Sequence, residues 1–108
     1  MTQEVFGAKW QDDVKAVAVA NADLELAKNA TETLQVYAVF GGGVASRMMD
    51  NSNFKFAVES GTSASVAENT GVITATSNAG DTVISVTLKD AKGQQTDKVG
   101  YANVTVKA

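Results

Sequence analysis

The chain has 108 residues, 12 acidic against 9 basic side chains for a net charge of -3, and no cysteine, histidine or proline. That length supplies one core of the size a single small domain buries, and the missing cysteine and histidine remove disulfides, thiolate chemistry, the usual general base and the commonest transition-metal ligands. The acidic balance offers no counterion release to draw in nucleic acid or an anionic membrane, and no stretch approaches the ~18 apolar residues of a membrane span.

Residues 1–13 have no clear period, with Phe6 and Trp10 standing among Gln, Glu, Asp and Lys. They read as an N-terminal arm or linker ahead of one domain at 14–108, and without a basic start followed by an apolar run no export signal is expected. Apolar rings in a polar arm cost solubility unless they dock, either on the domain itself or on a neighbouring subunit. From Val14 the apolar residues Val14, Ala16, Val17 and Val19 predict a first strand that ends at the turn-prone Asn21 and Asp23. Leu24 and Leu26 make a short second one. Leu34, Val36, Ala38 and Phe40 then alternate with Thr33, Gln35, Tyr37 and Val39, the clearest strand pattern in the chain.

Gly41, Gly42 and Gly43 end that strand, because ordering three residues without Cβ carries a high entropic cost. Residues 44–53 are expected to be a long loop with room for a short helical turn. Met48 and Met49 within it are either a flexible apolar contact surface or a flap over the end of the core, and the second is the expectation, since methionine commonly fills gaps. Phe54, Phe56 and Val58 share one side of the next strand, and residues 64–75, including Val66 and Ile73, read as a hairpin whose turn closes at Gly71. Thr82, Ile84, Val86 and Leu88 alternate with Val83, Ser85 and Thr87. Residues 93–100 look like a polar loop tip, and Ala102, Val104 and Val106 form the last strand. The core is expected from Leu34, Val36, Ala38, Phe40, Phe56, Val66, Ile73, Ile84, Val86, Val104 and Val106. Seven or eight short strands with turn signals between them, and no helical period, predict an all-β sandwich or barrel.

Several of these pieces, in this order, resemble a group 2 bacterial immunoglobulin-like domain over residues 24–107. Residues 24–40 are similar to the family's opening of a short strand, a polar turn and a longer strand. Phe56 stands eight residues before Ala64, where the family usually places a core tryptophan. Ala64-Ser65-Val66 followed by Gly71-Val72-Ile73-Thr74-Ala75 resembles its central hairpin, the most specific piece. Gly80 with Thr82, Ile84 and Val86, and then residues 102–106, match its last two strands. The chain departs from the pattern at Gly61-Thr62, where the family has Asn-Pro, at one extra residue before Gly71, and in an expanded segment at 41–53. The resemblance implies two packed antiparallel sheets with Greek-key connections, in a family found in bacterial surface adhesins and on phage capsid and tail proteins.

Catalysis has little to build on. Asp12, Asp13, Asp50, Glu59, Glu68, Asp81, Asp90 and Asp97 are spread over turns, where Asp ordinarily accepts from nearby backbone amides, and no motif brings two carboxyls to a cleft as glycosidases need. Asp81, Asp90 and Asp97 at one end of a sandwich are the arrangement that would hold calcium, but a spaced acidic motif is lacking. No helix start and no Lys-Ser/Thr pair follows the three glycines, so they are not a phosphate loop. Tyr37 and Tyr101 fall opposite their core partners, as exposed aromatics or as outer-face cross-strand packing.

A non-catalytic structural or adhesive module is therefore expected, without cofactor, metal, nucleic acid or membrane insertion. The resemblance implies a phage virion setting, as capsid decoration or tail module, with capsid or tail subunits as partners and host-surface glycans as weak ligands. Phe6, Trp10, Met48 and Met49 are the candidate anchoring residues. The alternatives are one repeat of a bacterial cell-surface adhesin, or a carbohydrate-binding accessory domain.

Overall fold

The computed structural model describes residues 10–108, apart from the side chains of Trp10 and Asp12. A 3₁₀ turn at Trp10–Asp13 leads into ten strands. These are β1 (Val14–Val19), β2 (Asp23–Leu26), β3 (Thr31–Thr33), β4 (Val36–Phe40), β5 (Arg47–Met49), β6 (Phe54–Ser60), β7 (Ala64–Val66), β8 (Val72–Ala75), β9 (Gly80–Lys89) and β10 (Gln95–Val106). A second 3₁₀ turn, Asn51–Asn53, joins β5 to β6. The chain is mostly β, and three sheets form one compact body consistent with a sandwich. One sheet has the order β2-β10-β9-β6, a second β3-β8-β7, and a third β1-β4-β5.

Period-two patterning explains the longest pairings. Ile84, Val86 and Leu88 on β9 and Ala102, Val104 and Val106 on β10 are buried, while Tyr101 points outward and is 55% exposed. Phe54 and Phe56 on β6 are fully covered and meet edge to face, with ring centroids 6.5 Å apart. Leu34, Val36, Ala38 and Phe40 are buried from the other layer, as are Ile73 and Ala75, and all of these side chains join one core cluster. Val66 is only half-buried at its margin. Fully burying one such aliphatic or aromatic side chain stabilises by about 1.5–3 kcal/mol, so this continuous cluster is the main source of stability in a chain without cross-links.

β1 lies against the inner face of β10. A Cβ placed on Gly100 would meet the Val17 carbonyl oxygen at 2.7 Å, so only glycine admits this approach.

Four features differ from the sequence-based expectations. Residues 44–53 are not a plain loop: β5 pairs with β4, setting Met49 opposite Val36 and Met48 opposite Tyr37. Residues 93–100 are not a loop tip: β10 already begins at Gln95, the turn at 90–94 being tightened by Asp90 Oδ1, which accepts from the Lys92 and Gln94 amides at 2.8 and 3.0 Å. The strands are not all antiparallel or short, because β2 runs parallel to β10, and β9 and β10 have 10 and 12 residues. The alternating run at 33–40 is also divided between two sheets, β3 pairing with β8 and β4 with β1 and β5.

At that division the Asn21 carboxamide takes the place of a strand. Its Nδ2 donates to the Thr33 carbonyl at 3.1 Å and its Oδ1 accepts from the Gln35 amide at 2.9 Å, while Ala20 donates to the Gln35 carbonyl. The backbone therefore stays extended and satisfied as it passes between sheets. β6 pairs with β9 on one side only, and its register shifts between Val58 and Ser60.

Candidate functional site

The β7–β8 turn, residues 68–71, is fastened to several other parts of the fold. Gly71 closes it at φ +71, and a Cβ there would meet the Phe56 ring at 2.8 Å, so glycine is required both by the backbone angle and by the ring beneath it. The Phe56 amide donates to the Glu68 carbonyl at 2.9 Å, tying the turn to β6, and the Leu34 amide donates to the Gly71 carbonyl at 3.0 Å, tying it to the β3–β4 junction. Asn51, on the 3₁₀ turn after β5, completes the fastening: its Nδ2 donates to the carbonyls of Leu34 at 2.9 Å and Thr70 at 2.8 Å.

A cavity opens on either side of this turn. The larger, about 610 Å³, fills the gap between the turn and β5, and its walls include Thr33, Gln35, Met48, Asp50 and Thr70. The smaller, about 420 Å³, lies between the turn and the β9–β10 connection, with Lys55, Glu68, Lys89, Gln94 and Gln95 in its walls. Asn69 borders both. Among the described residues that line the first, Asp50 is the only charged side chain, and its Oδ2 accepts from the Ser52 hydroxyl at 2.6 Å. In the second, Lys55 faces Glu68 at 3.5 Å, which leaves the half-buried Lys89 as a surplus cation.

Of the predicted anchoring residues, Met48 and Met49 have described side chains, and these differ in exposure. Phe6 lies outside the described residues, as does the side chain of Trp10. Met48 is 56% exposed beside the larger cavity, whereas Met49 is 5% exposed and belongs to the core, where its length fills the space under β4. Met49 borders the larger cavity with little exposed surface. Tyr37 is half-buried between Ala18 and Met48 on the outer face of β4, and Tyr101 is exposed on β10.

Asp81, Asp90 and Asp97 take separate local partners. Asp81 accepts from the Thr105 hydroxyl at 2.7 Å, Asp90 serves its own turn, and Asp97 pairs with Lys98 at 3.1 Å. The Lys98 hydrogen bond, then its charge, holds the Asp97 carboxyl below its ordinary value. Among the described residues no three acidic side chains gather as a metal site, so Asp81, Asp90 and Asp97 are not brought together.

Sequence reading missed the cavities because their walls come from five separate segments, and exposed amides and hydroxyls carry no periodicity. The run Glu68-Asn69-Thr70-Gly71 was visible only as a turn. No family model matches the chain, and no curated protein matches its sequence, so the fold and this paired cavity are what the functional reading rests on.

Proposed function

We propose that the chain is a non-catalytic structural or adhesive module with immunoglobulin-like Greek-key connectivity, working as a rigid unit that presents a recognition surface in many copies. The observation that carries this reading is strand order. In chain order, β3-β8-β7 corresponds to the B-E-D arrangement of such sandwiches and β6-β9-β10 to C-F-G. The parallel β2–β10 pair further supports it, since β1 pairs in one sheet and the chain then crosses to join the last strand in the other.

The non-catalytic part is supported by residue chemistry: without histidine or cysteine, a reaction would need converging carboxylates, and Asp81, Asp90 and Asp97 are spent on separate turns and pairs. The setting we favour is a virion surface, as capsid decoration or tail module, with weak contact to glycans of the host envelope. Multivalent display raises such binding by about 10²–10⁴ without any new contact.

Coupling the chain to particles at high and low copy number and measuring their retention on intact bacterial cells tests this. Retention that rises steeply with copy number, without any change in the polysaccharide released, is the expected result. Equal retention of bare and coated particles contradicts the adhesive reading.

A further inference from the structure

We infer that the two cavities flanking Asn69 form one binding site for an acidic oligosaccharide, an extended chain of hydroxyl-rich rings with a carboxylate at one end. This inference rests on the adhesive reading above and names the site and ligand class for it. The polar groups that line the cavities are of the kind that recognise sugars. Among the described residues, the side chains of Gln35, Asn69, Thr70, Gln94 and Gln95 make no hydrogen bond within the fold, although neighbouring Asn51 uses its Nδ2 to hold the turn. A carboxamide offers two donors and an acceptor in one plane, and hydroxyls offer both roles, so these groups match vicinal sugar hydroxyls. Met48, exposed at the wall of the larger cavity, supplies an apolar surface for the C–H face of a ring.

The charges give the site a direction. The larger cavity has one carboxylate, Asp50, whose second oxygen is open to accept from a ligand hydroxyl; it repels a ligand anion. The smaller cavity has two lysines against one glutamate, and Lys89 has no ion pair among the described residues. A sugar carboxylate therefore belongs beside Lys89, and uncharged rings belong beside Gln35 and Thr70. Asn69, exposed on the shared wall, is placed to bond the link between them. The turn carrying Asn69 is held by backbone groups of β6 and the β3–β4 junction and by Asn51, so little ordering cost is expected on binding.

Titration of the isotopically labelled full chain with a xylo-oligosaccharide of uncharged rings that carries a single terminal glucuronic acid, and with the methyl ester of the same molecule, tests the site by amide chemical shift. Shifts confined to residues 33–35, 48–52, 68–70 and 89–95, with tighter binding of the acid form, are expected. Lys89→Ala weakens the acid form about tenfold, the scale of one hydrogen bond to a charged group, and leaves the ester unchanged. Asn69→Ala weakens both, and Tyr101→Ala neither. Absence of shifts at millimolar sugar, shifts centred on Tyr101, or equal binding of acid and ester overturns the inference. The particle assay separates the two readings: if wild-type particles hold to cells and particles bearing both Lys89→Ala and Asn69→Ala hold equally well, the site falls while the adhesive reading stands. If wild-type particles do not hold at all, the adhesive reading itself falls.

Discussion

Asn21 and Asn51 close opposite edges of the same stretch of backbone. Asn21 bonds Thr33 and Gln35 from the side of β1, and Asn51 bonds Leu34 from the side of β5 and the β7–β8 turn. Two carboxamides thus replace the strand partners missing where the chain passes from β3 to β4. Their removal should be unequal. Asn51→Ala strips a donor from two carbonyls in a partly buried place and should cost about 1–3 kcal/mol, while the exposed Asn21→Ala should cost about 0.5–1.5 kcal/mol. Asn51→Asp should be worse than alanine at neutral pH, because it faces the same carbonyls with a charge. Urea midpoints at unchanged slope measure all three.

Thr82 is fully buried, and its Oγ1 accepts from the amides of Ser63 at 2.9 Å and Ala64 at 3.1 Å. Thr82→Val keeps the shape and strands both donors, at about 1–3 kcal/mol for each. Thr82→Ser keeps the acceptor and loses one methyl, at about 1 kcal/mol. Valine proving no worse than serine in thermal or urea unfolding would contradict this bonding.

Two glycines with left-handed backbones separate conformation from contact. Gly43 has open space where a Cβ would stand, whereas at Gly71 the Phe56 ring occupies it. Gly43→Ala should cost only the backbone strain, on the order of 1 kcal/mol. Gly71→Ala should exceed it by about 1–3 kcal/mol of overpacking. Equal losses in urea unfolding would mean that the ring yields freely.

The methionine pair should divide in the same way. Met49→Ala opens a cavity under β4 and should cost about 2–5 kcal/mol, while Met48→Ala should stay within about 0.5 kcal/mol of the parent. Calorimetric unfolding of the two variants checks it. Near-equal melting temperatures would count against the inward setting of Met49.

Asp97 titrates below its ordinary value of 3.8 because of Lys98. Since the folded value is the lower one, any stability from the pair is fully present above 3.8 and is lost as pH falls through the folded value. Carboxyl carbon shifts followed against pH should give a midpoint under 3.8, and Lys98→Ala should move it upward. A native midpoint at or above 3.8 would show that the exposed pair is not formed in solution.

Much of the fold was legible because burial leaves a period in the sequence. Leu34 to Phe40 and Thr82 to Leu88 each alternate, and each has its apolar members inside. The division of the first run between two sheets was not legible, since alternation continues unbroken through Leu34 and only side chains from residues 21 and 51 mark the junction. β5 was hidden because Arg47, Met48 and Met49 show neither alternation nor β-branching, and pairing with β4 alone makes them a strand. The first half of β10 was hidden for a related reason: between Gln95 and Val99 the register shifts and the residues are mostly exposed, so its polar sequence resembles a loop. Of the candidate site, only Met48 and the turn at Gly71 left a trace in the sequence.

The outer strand β6 runs seven residues along the rim of its sheet without a proline, its Phe56 amide being taken by the β7–β8 turn. Its register shift between Val58 and Ser60 bends that border away from a straight ladder. Copies brought side by side are therefore expected to lack a matching seam along this edge on which to zip together. Their local concentration can then rise while each unit stays separately folded.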